Sequence, residues 1–453
     1  MAGIGFDLRK IFYTDNKLEK VKVSIQSLFI TSGPWIISIF TVATLKIINE
    51  TFMTKGNFNI FVSVIIYSFV FSLILSSPVT NLVTRCSSDF IYLEKFDEIL
   101  SIFFSGFLIV GIISFLSAFL YILYFTPLKN YSFRISYLFT SLNILWFIMV
   151  FVSMLKDPKR ITIAFLIGML IIIFLNWLYA KGNLSKSLDS FTIGICFTCY
   201  YLIALLFKQF DFNKKLNFQW LFEFKYYPLV LSGLFLYLGM WADKIIYWFF
   251  SNKSVEVAKG FYFFPVYDFA IFLSYLTIIP TTAFFVIFIE TTFYETQRAY
   301  LTLVERNGTL DEIREKEEKL IVDFYKSIIN LIYFQSFIAI IFIFFVPILL
   351  DHFNIVVESI PLLRIAVLSA TLQIILNIII IFLYYFDYQK ETLFIALCLF
   401  FSNTIISFYM KDMPFEYTGF SYFISLVITN IIAFVIAQFK LSNVTYFILM
   451  KNS

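Results

Sequence analysis

Runs of about 20 mostly apolar residues recur from one end of this chain to the other, and at about 1.5 Å of rise per residue each is long enough to cross a bilayer as a helix. They fall at 23–47, 58–82, 99–125, 133–155, 161–180, 190–208, 226–250, 264–289, 328–350, 361–386, 392–410 and 418–439. Lipid offers no hydrogen bonds, so a span of this kind must satisfy its own backbone, and a helix does so within one segment. Composition agrees: 60% of the 453 residues are apolar, 14% are charged and 62 are Phe, whereas a soluble domain carries roughly 25% charged residues. The expected fold is an all-α polytopic membrane protein of about twelve transmembrane helices.

Lys and Arg collect on the cytoplasmic side of short loops. With the N-terminus inside, roughly 23 of the 34 basic residues fall on cytoplasmic segments, and both termini are then cytoplasmic. The clusters that set this are Arg9, Lys10, Lys17, Lys20 and Lys22; Lys156, Lys159 and Arg160; Lys208, Lys214, Lys215 and Lys225; and Arg298 to Lys326. The first apolar run reads as a full span, not a cleavable signal. A polar stretch halfway along divides the spans six and six. The expected organisation is an amphipathic N-terminus at 1–22, a six-helix lobe at 23–208, a cytoplasmic linker at 209–225, a second lobe at 226–439 and a tail at 440–453. Paired lobes with a pathway between them are a common transporter plan.

The second lobe carries the one sizeable polar insert, an expected cytoplasmic helical hairpin at 291–327. Asn307-Gly308 breaks it, and Thr309 with Glu312 restarts it as a capping box. Glu312 with Lys316 and Glu315 with Lys319 stand four apart, the spacing of helical ion pairs.

Ionisable groups inside spans are costly and face a partner, a cavity or cargo. Asp243 and Lys244 occupy one such span, and as neighbours they point about 100° apart on a helix, which predicts that they do not neutralise each other. Trp241 and Trp248 return to nearly the Lys244 face, and aromatic rings beside a charge suit a sugar, whose C–H groups stack while its hydroxyls hydrogen-bond. Trp also concentrates at membrane interfaces, the plainer explanation. Asp268 and Arg364 complete the candidate pathway, with Arg364 expected to pair with Asp243 or Asp268 or to touch substrate. Pro34 and Pro280 are candidate hinges, since proline removes a helical hydrogen bond. Arg85 with Asp89, four apart, and Glu290 are candidate cytoplasmic gate residues or local ion pairs.

Enzyme signatures are missing from the sequence: no phosphate-cradling glycine loop, no metal-ligand cluster and no nucleophile paired with a histidine base. Cys196 and Cys199 form a C-x-x-C, but inside an apolar run beside Phe197 and Tyr200, where they read as small helix side chains. Neither a cofactor nor a nucleic acid is expected.

The opening Met1-Ala2-Gly3-Ile4-Gly5-Phe6-Asp7-Leu8-Arg9-Lys10, followed by Ser32-Gly33-Pro34-Trp35, resembles the start of PelG proteins, the membrane transporters of the Pel exopolysaccharide system. Thr84-Arg85 with Asp89 and Tyr92, Trp241 with Asp243-Lys244, and Asp268 through Pro280 to Glu290-Thr291 and Arg298 follow the same pattern. The family more often has Glu at the place of Asp7, and Arg in loops that here carry Lys. The resemblance implies a Wzx-like flippase of the multidrug, oligosaccharidyl-lipid and polysaccharide exporter superfamily, in a bacterial cytoplasmic (inner) membrane. It implies a polymer rich in N-acetylgalactosamine as cargo. Its implied partners are a PelF-like cytoplasmic glycosyltransferase using UDP-sugar and PelD-like and PelE-like membrane scaffold proteins. The alternatives are a lipid-linked oligosaccharide flippase, a drug or cation antiporter, a membrane glycosyltransferase, or a scaffold for the synthase.

Overall fold

In a computed structural model of the chain, the described residues are 6, 8–10, 20–29, 31–33, 36, 44, 53–152, 154–155, 157–180, 182–210, 216–306, 308–352 and 359–447. Among them, 11 helices are long and apolar enough to cross a membrane. Each coincides with one of the runs read above. The expected first span, 23–47, and the hinge candidate Pro34 lie largely or wholly outside the described residues.

The chain forms two compact units, Ser32–Phe264 and a second composed of Met1–Thr31 with Pro265–Ser453. The first contains α1 (Lys55–Tyr92), α2 (Asp97–Phe125), α3 (Ser132–Val152), α4 (Pro158–Leu175), α5 (Leu184–Gln209) and α6 (Tyr227–Phe250). Here α3 packs on α1, α2 and α5, α4 packs on α5, and α6 lies along α1. Local chemistry starts the helices where it should. Asp157 accepts a hydrogen bond from the Arg160 amide at 3.1 Å ahead of Pro158, and Asn183 caps α5 through the Lys186 amide at 3.3 Å. The α4–α5 crossing is a small-residue contact: a Cβ on Gly194 would stand 2.8 Å from the Gly168 carbonyl and 2.2 Å from Ile172 Cγ1.

The compact units do not divide at the expected linker. Trp220 is buried, its indole donating to Ser105 Oγ at 2.9 Å, and Asn217 donates to Glu98 at 3.1 Å, so the described part of 209–225 is seated on α2. The seventh span stays with the first unit because α6 is fixed to α1 at both ends. Asn81 Nδ2 donates to the Leu229 carbonyl at 3.3 Å, and at the other end Trp248 stacks on Tyr67 with centroids 4.7 Å apart.

One element departs from the all-α expectation. Val255–Ala258 (β1) and Phe261–Phe263 (β2) form an antiparallel hairpin whose turn places Gly260 at φ +89°, a conformation that favours glycine. Tyr67 Oη donates to the Tyr262 carbonyl and accepts from the Tyr262 amide, both at 2.9 Å, and Tyr121 Oη donates to the Gly260 carbonyl at 2.6 Å.

The second unit contains α7 (Pro265–Leu276), α8 (Ile278–Phe284), α9 (Thr291–Glu305), α10 (Leu310–His352), α11 (Ser359–Tyr385), α12 (Gln389–Met410), α13 (Phe415–Thr418) and α14 (Phe420–Leu441). A single span runs from α7 to α9 but is interrupted between Leu276 and Ile278, and a π-helical turn at Phe285–Glu290 joins α8 to α9. Pro280 accounts for the first break, since it has no N–H to offer the Leu276 carbonyl. The interruption is stitched by buried side chains: Thr281 donates to Gln335 Oε1, and Gln335 Nε2 donates to Thr277 Oγ1 at 3.2 Å.

The expected hairpin at 291–327 is present as α9 and the start of α10. Thr309 Oγ1 and its amide donate to Glu312 Oε2 at 2.8 and 3.0 Å, the predicted capping box. That bond draws Glu312 back to the cap, and the expected pairs Glu312–Lys316 and Glu315–Lys319 are not formed. The helix is also not freely solvated throughout. Thr296 donates to Asp323 at 2.7 Å, and Thr445 of the tail donates to Glu317 at 2.9 Å and shares a 2.8 Å hydrogen bond with Tyr300.

Candidate functional site

Among the described residues, the charged side chains that are buried are Asp243, Lys244 and Glu290, all within spans. The first two sit two-thirds of the way along α6, a helix made continuous by its apolar surroundings and held against α1. Their side chains are 0% and 5% exposed, with Lys244 Nζ 3.8 Å from Asp243 Oδ2. The expectation that neighbours on a helix stay apart is therefore corrected. The lysine stem is long enough to fold across the backbone, and in a medium with little water the attraction outweighs the 100° divergence. At 3.8 Å the contact is an electrostatic one, beyond hydrogen-bond length.

Lys244 Nζ also lies 4.3 Å from the Trp241 ring centroid, a cation–π contact one helical turn back. Trp241 thus belongs to the charged pair, as its spacing predicted. Trp248 does not join them. It is fully buried and engaged by Tyr67, while Tyr67 also meets Phe261 at 5.0 Å, so Trp248 is packing that secures α1, α6 and the β-hairpin.

Glu290 occupies the end of the π-helical turn in the other unit. Tyr385 Oη donates to its Oε1 at 2.8 Å, and Gln297 Nε2 donates to the Tyr385 carbonyl at 2.6 Å. A carboxylate in a span is tolerated when it is hydrogen-bonded in this way. Asp268 lies in the first turn of α7, half-buried, where a carboxylate meets the positive end of the helix dipole. Arg364 is exposed near the start of α11 and forms no ion pair with any described residue, which corrects its expected pairing with Asp243 or Asp268. Near a helix end, a long guanidinium stem reaches polar surroundings without a carboxylate partner.

Arg85 and Asp89 do form the local pair read from their spacing, at 3.5 Å. Tyr226 completes it, its hydroxyl donating to Asp89 Oδ2 at 2.5 Å while the Arg85 guanidinium lies 5.5 Å and Lys225 Nζ 4.6 Å from its ring. This cluster ties the end of α1 to the start of α6. Sequence reasoning missed Tyr226, Tyr385, Gln335 and Tyr67 because a neutral hydroxyl or amide in an apolar run announces no cost. The available signal was a Tyr or Gln inside a span or at its end, where its polar tip needs a partner.

No group of His, Cys, Asp and Glu among the described residues could hold a metal ion. Cys199 is buried and Cys196 exposed, and both are free thiols.

Long apolar helices carrying a few deeply buried charges define a multi-pass membrane protein, and its fold is that of the MATE transporters. An outward-facing multidrug resistance MATE family transporter of the MOP superfamily is similar with a TM-score of 0.65 at 14% identity, covering 94% of this chain and 97% of the other. A MATE in the bent conformation gives 0.63 at 12% identity over 97% and 98%. An inward-facing MATE family transporter gives 0.58 at 14% over 97% and 99%. No curated protein matches the sequence. The family PelG, described as "Putative exopolysaccharide Exporter (EPS-E)", matches residues 1–448, and the chain belongs to that family. Family and fold together give it a membrane export role.

Proposed function

We propose that this chain exports a Pel-type exopolysaccharide rich in N-acetylgalactosamine across a bacterial cytoplasmic membrane, with both termini cytoplasmic. The observation that carries the reading is the Asp243–Lys244 pair, 3.8 Å apart and buried within a spanning helix of a PelG-family chain. Hydrocarbon penalises each such charge by about 2.5–3.5 kcal/mol on insertion scales, and an apolar pair would build an equally good helix.

In this reading Asp243 and Lys244 neutralise each other while no cargo is present. When sugar passes, each exchanges part of that contact for hydroxyl groups, and Trp241 offers a face for the ring. Asp268 and Arg364 are further polar points of the path, the break before Pro280 is where the helix bends, and the Arg85–Asp89–Tyr226 cluster is a cytoplasmic gate. Trp248 is excluded because its ring is committed to Tyr67. A cytoplasmic glycosyltransferase feeds the polymer and membrane scaffold proteins hold it in place. The protein itself moves cargo and performs no covalent chemistry.

A second reading has one observation in its favour. Two of the solved structures sharing the fold are multidrug resistance MATE family transporters, and Glu290, buried and hydrogen-bonded by Tyr385, is a carboxylate suited to binding a proton or cation in an antiport cycle. Measuring exported polymer in cells carrying Asp243→Asn or Lys244→Met, at matched membrane abundance, tests the first. Export is expected to fall at least tenfold in both. Unchanged export in both removes the pair from the mechanism, and export that survives deletion of the chain assigns it a scaffold role.

A further inference from the structure

The second unit holds a groove of about 730 Å³ alongside α9, lined by Phe6, Tyr294, Glu295, Arg298, Thr302, Leu303 and Arg306. That volume lies within the range of small-molecule sites. Its charge is unbalanced in a specific way. The acid, Glu295, is already taken: Arg9 Nη1 stands 3.1 Å from Glu295 Oε2 and donates to Thr291 Oγ1 at 3.3 Å. The guanidinium groups of Arg298 and Arg306 make no ion pair or hydrogen bond with any described residue, so among the described residues the groove is lined by two cations without an acidic partner.

Two arginines lining one groove repel each other, and an anion carrying more than one charge relieves that repulsion. The planar fork of each Arg matches phosphate oxygens in pairs. Apart from Thr302 and the engaged Glu295, the rest of the lining is apolar and aromatic. Phe6 and Tyr294 meet edge to face with centroids 5.8 Å apart at 69°, and Leu303 is held at the far end by Gly308, whose amide donates to the Leu303 carbonyl at 3.0 Å. A Cβ at Gly308 would stand 2.7 Å from Leu303 Cδ2, so a larger residue there would shift the Leu303 side chain. A ligand that fits both parts has a phosphate or diphosphate at one end and an apolar or aromatic body at the other.

We propose that this groove binds such a phosphate-bearing ligand, with Arg298 and Arg306 on the phosphate and the Phe6–Tyr294 wall against its body. A nucleoside diphosphate from solution and an anionic phospholipid headgroup share this chemistry. The site is argued from its own residues and does not rest on the export reading, so export can fail its test with this binding intact, and the reverse.

The test uses the full chain purified in neutral maltoside micelles. Binding of uridine diphosphate, of adenosine diphosphate and of dioctanoyl phosphatidic acid is measured by thermophoresis, with uridine and dioctanoyl phosphatidylcholine as uncharged or zwitterionic counterparts. At least one phosphate probe is expected to bind, and the Arg298→Gln/Arg306→Gln double variant to weaken it tenfold or more at unchanged melting temperature. Arg298→Lys, which keeps charge but loses the fork, is expected to fall between. Binding of a nucleotide without the lipid identifies the soluble source, and the converse the membrane source. Absence of binding by all three phosphate probes, or equal binding by the double variant, overturns the proposal.

Discussion

Replacing Lys244 by Met leaves Asp243, which is 0% exposed, without the cation 3.8 Å away. With an effective dielectric of about 20, two unit charges at that separation attract by about 4 kcal/mol. Breaking a buried pair from one side costs about 3–5 kcal/mol, since the remaining charge stays buried. The same range is expected for Asp243→Asn. Removing both charges removes the reason for the penalty, so the Asp243→Asn/Lys244→Met double variant is expected within about 1–2 kcal/mol of the wild type, near-neutral replacement being usual for buried pairs. The double-mutant cycle should then return a coupling of about 4 kcal/mol or more. Equilibrium unfolding in mild detergent micelles measures all four proteins. A coupling below about 0.5 kcal/mol would refute the claim that these neighbours stabilise each other. A double variant that folds as well as the wild type yet exports nothing would separate the pair's structural part from its part in transport.

Tyr67→Phe keeps the ring stack on Trp248 but leaves the Tyr262 amide and carbonyl without their 2.9 Å partners. At about 1–3 kcal/mol for an orphaned group, hydrogen exchange at Tyr262 is expected to speed up about tenfold or more, and an unchanged rate would contradict the hairpin anchor. Gly194→Ala places a Cβ 2.8 Å from the Gly168 carbonyl and is expected to cost about 1–3 kcal/mol by overpacking. Gly111→Ala meets nothing within 4 Å and should melt like the wild type in the same micelles. Gln335→Leu removes the acceptor for Thr281 and the donor to Thr277, and faster exchange confined to residues 277–285 is the expected result.

The spans were legible because hydrocarbon imposes one rule on every one of them, and the rule is written in composition: α2, α5, α11 and α12 begin and end close to their apolar runs. The buried charges were legible for the same reason. Asp243, Lys244 and Glu290 stand out against Ile, Leu and Phe, and among the described residues they are the charges the fold buries. What the residues do with one another was less so. Helical spacing placed Arg85 on Asp89 and Trp241 on Lys244, but it also argued against the contact between Asp243 and Lys244, because spacing describes Cβ directions and a lysine Nζ lies four bonds beyond its Cβ. The compact units were misread at 209–225. A polar stretch looks like a hinge until Trp220 is seen donating to Ser105, and no local pattern reports that α6 lies along α1. The hairpin at Val255–Phe263 was legible in principle, since Lys259-Gly260 between alternating residues is a turn signal. At four and three residues its strands are far shorter than the apolar runs on either side.

The role proposed for this chain is that of the conduit by which polymer leaves the cytoplasm. Inside-out membrane vesicles carrying the synthase, supplied with sugar nucleotide and then treated with a glycoside hydrolase that cannot cross the membrane, test it directly. Polymer protected inside the vesicles is expected with the intact chain, and little is expected with Asp243→Asn/Lys244→Met at equal abundance. Equal protection in vesicles lacking the chain altogether would contradict the account.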